Sequence, residues 1–181
     1  FNRKPMFRYN TYFGINTVHY LDLVETTGSQ NLSLGSILIA SLLSGVAKGG
    51  AAVRRDETPL TPLACSYFNS LNSLKFLSYL GADGFPVIIP ILQCRAAGSS
   101  RLAFSTLAYN AELSEITAGS PVAVFAMTMQ MESVLIRGTY CRRRVRGIST
   151  AAIDIAWVYN SMPPVHGQVY PQNQLEPVTS F

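Results

Sequence analysis

The sequence predicts a mainly β (α+β) domain, a meandering antiparallel sheet or small barrel with helices in front of it. Three observations carry this expectation. Six short apolar or alternating runs follow one another between residues 76 and 159, separated by Gly-containing turns. Two earlier stretches repeat apolar residues at spacings of three and four. Hydrophobic residues make up 48% of the chain and charged ones 13%, which supplies a core and excludes disorder as the main state.

Taken in order, FRYNTYFGINTVHYLDLVE from Phe7 to Glu25 is aromatic and β-branched, and predicts one long strand or two short ones. A polar turn follows to Leu32. Leu34, Leu38, Leu42 and Val46 then stand four apart with small residues between them, the pattern of a tightly packed helix closed by Gly49 and Gly50. Ala51 to Pro62 carries Arg54, Arg55, Asp56, Glu57 and two prolines and reads as a linker or exposed loop. It divides the chain into an N-terminal extension (1–60), a barrel domain (61–165) and an extended tail (166–181). Thr61 caps a second helix with Pro62 at its first position, and Leu63, Tyr67, Leu71 and Leu74 carry the helical spacing toward Leu80. The six strands are Phe76–Leu80, Phe85–Cys94, Arg101–Thr106, Pro121–Met131, Ser133–Cys141 and Ala151–Tyr159. A short helix, Ala111 to Ile116, ends at Gly119.

The net charge of +4 is too small to imply a nucleic-acid partner by itself, and none is expected. The charged fraction is about half that of an ordinary domain surface, so an apolar face should meet a partner, and a homodimer is the expectation. The longest apolar run, Leu34 to Ala47, is short and broken by glycines and serines, so no membrane span is expected. Cys65, Cys94 and Cys141 are odd in number and widely spaced, which predicts thiols in a reducing, cytoplasmic setting. His19 and His166 are the only histidines, and no metal site is expected. The missing initiator Met points to a fragment or trimmed chain.

Three local features have two readings each. CRRRVRG, with Arg142, Arg143, Arg144 and Arg146, is either an anion site or a solvated hairpin loop. In IDIAWVYN, alternation puts Ile153, Ile155, Trp157 and Tyr159 on one face, for packing or for stacking on a cofactor, and leaves Asp154 exposed on the other. Met127, Met129 and Met131 alternate toward one face, as adaptable core or interface filler.

From Leu80 the chain reads LGADGFPVIIPILQC, then RLAFST, a short helix, GSPVAVFAM and ESVLIRGTY. This order resembles the flavin-binding split-barrel family, the pyridoxamine 5'-phosphate oxidase-like proteins, over about residues 70–160. The resemblance implies a six-stranded antiparallel split barrel that dimerises around flavin mononucleotide (FMN). The flavin would perform hydride or electron transfer on a small-molecule substrate. By position, Ile89, Pro90 and Ile91 would line the ring, Ser105 and Thr106 would meet ribityl or phosphate oxygens, and Trp157 would stack from a neighbouring subunit. No catalytic acid or base is implied. The chain departs from the family where a cation should follow the Ser-Thr strand, offering Leu107 to Glu112 instead. Arg101 or the arginine cluster would have to replace it. The alternatives are a cofactor-free structural or ligand-sensing dimer, or a binder of deazaflavin or of haem, the last through His19 or His166.

Overall fold

The structure is a computed structural model, and it describes residues 20, 22, 34–51, 58–130, 132–145, 147–160 and 167–171. The expected N-terminal strand, both histidines, Met131, Arg146 and residues 172–181 lie outside the described residues. The elements are α1 (Leu34–Ala51), α2 (Pro62–Asn69), β1 (Ser73–Leu80), β2 (Pro86–Pro90), β3 (Arg95–Ala96), β4 (Arg101–Ser105), α3 (Asn110–Ser114), β5 (Pro121–Thr128), β6 (Ser133–Val145), β7 (Ile148–Asn160) and β8 (Gly167–Tyr170).

All the strand pairs are antiparallel, in the order β2-β1-β5-β6-β7-β4-β3 with β8 beside β7. The path is open, yet its two end strands, β2 and β3, are joined by the short turn from Ile91 to Cys94, where Cys94 N donates to Ile91 O. A sheet whose ends are consecutive in sequence must curl on itself, which makes this a split barrel and not a closed one. Leu77, Ile89, Leu102, Phe104, Val124, Ile136, Ile153 and Val158 point into one core, and α2 closes it with Ala64, Tyr67 and Phe68.

Local chemistry explains the boundaries. The Thr61 hydroxyl accepts from Ala64 N at 3.2 Å with Pro62 behind it, so α2 starts where the cap signal stands. Its helical spacing does not continue to Leu80. The helix stops at Asn69, and Ser73, Lys75 and Leu77 turn inward alternately, because strand pairing to β2 and β5 outweighs a spacing that fitted both periods. Gly84, at φ +82°, makes the β1–β2 turn, and Asp83 Oδ1 accepts from Phe85 N.

Two expectations about faces are corrected. Leu42 is 77% exposed, and among the described side chains of α1 the buried ones are Ile37, Ala40, Ser41 and Ser44. The helix lies on β4 and its neighbours, where Ala97, Ala103 and Ala152 are buried, and close approach there suits the small Ala40, Ser41 and Ser44. Second, Trp157 and Tyr159 do not share the face of Ile153 and Ile155. Gly138 pairs with Ile155 but Arg137 with Trp157, so Ala156 is an extra residue that reverses the alternation. Asp154 is also not simply exposed: it forms an ion pair with the buried Arg101 beside it on β4.

Candidate functional site

The sheet has two faces, and the inner one is filled by the core. The outer face is divided. Over β4, α1 covers it: Ser44 Oγ accepts from Ser105 N at 2.9 Å and donates to Ala40 O. Over β1, β2, β5, β6 and the end of β7 no described residue covers it. Cross-strand register lays two rows across this open half. One is Pro90, Phe76, Phe125, Leu135 and Tyr159. The other is Ile88, Ser78, Ala123, Arg137 and Trp157.

The second row is low in its middle, because Ser78 and Ala123 are small. This leaves a trough of about 450 Å³ between Ile88, Phe76, Phe125 and Leu135. At its margin the Arg137 guanidinium lies 4.2 Å above the Trp157 ring. Trp157 in turn stacks on Tyr159, with centroids 5.7 Å apart and planes at 16°. The guanidinium lies over the aromatic face while Arg137 itself stays exposed. A surface of this kind takes a planar apolar group or another apolar protein face.

The residues expected to hold flavin are dispersed. Ile89 and Ile91 are buried and point into the core, while Pro90 stands on the open outer face. Ser105 and Thr106 are fully buried. Ser105 Oγ accepts from Leu107 N, Gln93 Nε2 donates to Ser105 O, and the Thr106 hydroxyl donates to Ser149. Arg101 is buried and paired with Asp154. A flavin phosphate needs open hydroxyls and a cation that can turn toward it. As packed, the end of β4 offers neither, so the residues there do not fit the phosphate of FMN. Trp157 is on the open face, a different place from Ser105.

Other polar groups have structural work. Lys75 is buried, and its ammonium donates to Ser70 O at the end of α2 and to Leu92 O before β3. Burial lowers its pKa to about 8 and pushes the Cys94 thiol up to about 12. Tyr140 is buried, its hydroxyl donates to Leu113 O, and burial raises its pKa. None of the three cysteines forms a disulfide. Among the described residues no cluster of three His, Cys, Asp or Glu could hold a metal, and no helix is long and apolar enough to cross a membrane.

Sequence reasoning expected an apolar face but did not locate it. Its signal was present: FLSYL and VAVFAM are apolar on both alternations, which a strand with one wet face has no need of.

No protein-family model matches the chain, and no curated protein matches it either. Among solved structures, the chain is similar to HupZ from group A Streptococcus, at 13% identity and TM-score 0.47 over 60% of this chain and 98% of that one. It is also similar to a Lactobacillus delbrueckii protein provisionally named a pyridoxamine 5'-phosphate oxidase, at 18% identity and TM-score 0.45 over 57% of this chain and 96% of that one.

Proposed function

We propose that this chain is a split-barrel homodimer that pairs through the open half of its outer sheet face and holds no flavin at the end of β4. It is the cofactor-free structural or ligand-sensing reading. The observation that carries it is the seat of α1: the Ser44 hydroxyl already takes the Ser105 N–H, and the Ser105 and Thr106 hydroxyls are bonded within the chain. The pairing is supported by two apolar rows five strands wide that carry one charge, Arg137. Burying them against a second copy removes more apolar area from water than any single side chain here can hide alone. The unlinked cysteines support a reducing, cytoplasmic location.

A second reading keeps the flavin. The trough favours it, since the small Ser78 and Ala123 leave room for a planar group beside Phe76 and Phe125, with Arg137 at the margin to meet a negative group. In that case bound FMN would carry out hydride or electron transfer on a small substrate. Incubation with excess FMN, followed by size-exclusion chromatography with visible detection, separates the two: a colourless dimer supports the first, a yellow one the second.

A further inference from the structure

The open half of the sheet carries both a hollow and a group of the right kind to fill it. Ser78 and Ala123, paired across β1 and β5, floor the trough of about 450 Å³. Arg137 and Trp157, paired across β6 and β7, continue the same row, and Tyr159 stands beside Trp157. The row therefore falls to Ser and Ala side chains at one place and rises to an indole at another, about 12 Å away at about 4.8 Å per strand. Trp157 is partly exposed and held in place, stacked on Tyr159 and under the Arg137 guanidinium. An aromatic group fixed in this way loses little freedom when a partner closes over it.

The lining of the trough defines what fills it. Phe76, Ile88, Ala123, Phe125 and Leu135 have apolar side chains, and the Ser78 hydroxyl is the one polar side-chain group beside them. The matching occupant is a flat apolar group with a single hydrogen-bonding atom, which describes an indole and its Nε1–H. No Asp, Glu or Lys stands in the two rows, or in the row of Leu74, Met127 and Ser133 next to them. The one charge, Arg137, is turned to its own Trp157. An uncharged aromatic face of this composition resembles the core of a protein interface. The strip from β1 to β7, four strands wide and three rows deep, covers roughly 400 Å² in plan. With its aromatic rings counted in relief, that reaches the about 500 Å² per side at which a specific pair becomes stable.

We propose that Trp157 of each copy seats in the trough of the other, over Ser78 and Ala123, an inference that rests on the homodimer reading above. A twofold contact is reciprocal, so both indoles seat at once. A twofold axis exchanges trough and indole only where it bisects the line between them. That line follows the cross-strand rows, so the axis runs parallel to the strands, between β5 and β6, and the two sheets pack aligned. An axis across the strands would set trough on trough and leave the hollows empty, against the close packing of interface cores. Arg137, next to the axis, leans to its own Trp157 and so away from the partner's guanidinium. The partner's Trp157 takes the space in which a flavin ring would lie, so the pair and the flavin exclude each other.

Trp157 is the only tryptophan, so its fluorescence reports this contact alone. The chain is diluted through its dimer-to-monomer transition under light scattering, with the emission maximum and acrylamide quenching read at each point. The dimer should emit further to the blue and be quenched several-fold less than the monomer. Trp157→Ala empties the trough and Ser78→Trp overfills it, and both positions are on the outer face, away from the core. Each single change should raise the dimer dissociation constant about tenfold or more. The double variant S78W/W157A supplies the indole from the other side, and its dissociation constant should return to within about threefold of the unaltered chain's. A dimer whose Trp157 is quenched as in the monomer would overturn the seat of Trp157 and leave the homodimer standing, as would losses that add in the double variant. A chain that is monomeric at every concentration would overturn both.

Discussion

Ser44 on α1 accepts a 2.9 Å hydrogen bond from the backbone N–H of Ser105 on β4, a residue 61 positions away. Both residues are fully buried. This bond pins the helix that covers one half of the outer sheet face. Ser44→Ala leaves a buried N–H without a partner, which costs about 1–3 kcal/mol. The variant should unfold at lower denaturant, and amides of α1 should exchange faster than those of β6. Unchanged exchange in α1 would mean that Ser44 does not hold the helix.

Gly138 is required by the β6–β7 bulge. A Cβ there would lie 2.2 Å from Asp154 O and 2.9 Å from Ile153 Cγ2. Gly138→Ala should therefore cost about 2–4 kcal/mol, measured as a lower denaturation midpoint with an unchanged slope. Gly45 has nothing within 4 Å of an added Cβ and lies within α1. Gly45→Ala should stabilise by up to about 1 kcal/mol.

Lys75 gives stability a pH signature. Its pKa is about 8 in the folded chain against an ordinary 10.5, through burial above all. Between those values the unfolded chain holds a proton that the folded chain has released, so stability from this residue rises with pH across that window. Below about 8 it is charged in both states and contributes least. The stability of the chain minus that of Lys75→Met should climb from pH 8 to 10.5, by up to roughly 3 kcal/mol. Cys94, with its folded pKa near 12, keeps its proton in the folded state over this range and does not mimic the effect. A flat difference curve would show that the ammonium is not desolvated.

Ile88 tests the open face. It is 65% exposed in the single chain, so Ile88→Glu should leave monomer stability within about 0.5 kcal/mol. It should also convert the dimer to a monomer in sedimentation equilibrium, because a charge would be buried opposite the partner's apolar row. A variant that remains dimeric would place the interface elsewhere.

Much of the fold was legible in the sequence because it rests on local signals. The Thr61–Pro62 cap and the Asp83-Gly84 turn act within a few residues and stand where the sequence puts them, and each expected strand overlaps an observed one, although β1 starts earlier at Ser73, β2 stops at Pro90, β6 runs on to Val145 and β7 starts at Ile148. The errors came from longer-range choices. The face α1 buries depends on the small alanines of β4 and β7, which its leucine spacing cannot report. The side that Trp157 takes depends on one extra residue, Ala156, inserted opposite Gly138. The surroundings of Ser105, Thr106 and Arg101 were likewise not legible, because α1 and Asp154, which bond to them, come from distant parts of the chain.

The most direct test of the central claim is one chromatographic run. The chain is incubated with excess FMN and passed through a size-exclusion column with simultaneous light-scattering and visible-absorbance detection. The account predicts a peak of twice the 19.8 kDa chain mass with no flavin absorbance. Flavin eluting with the protein, or a peak at the single-chain mass, would contradict it.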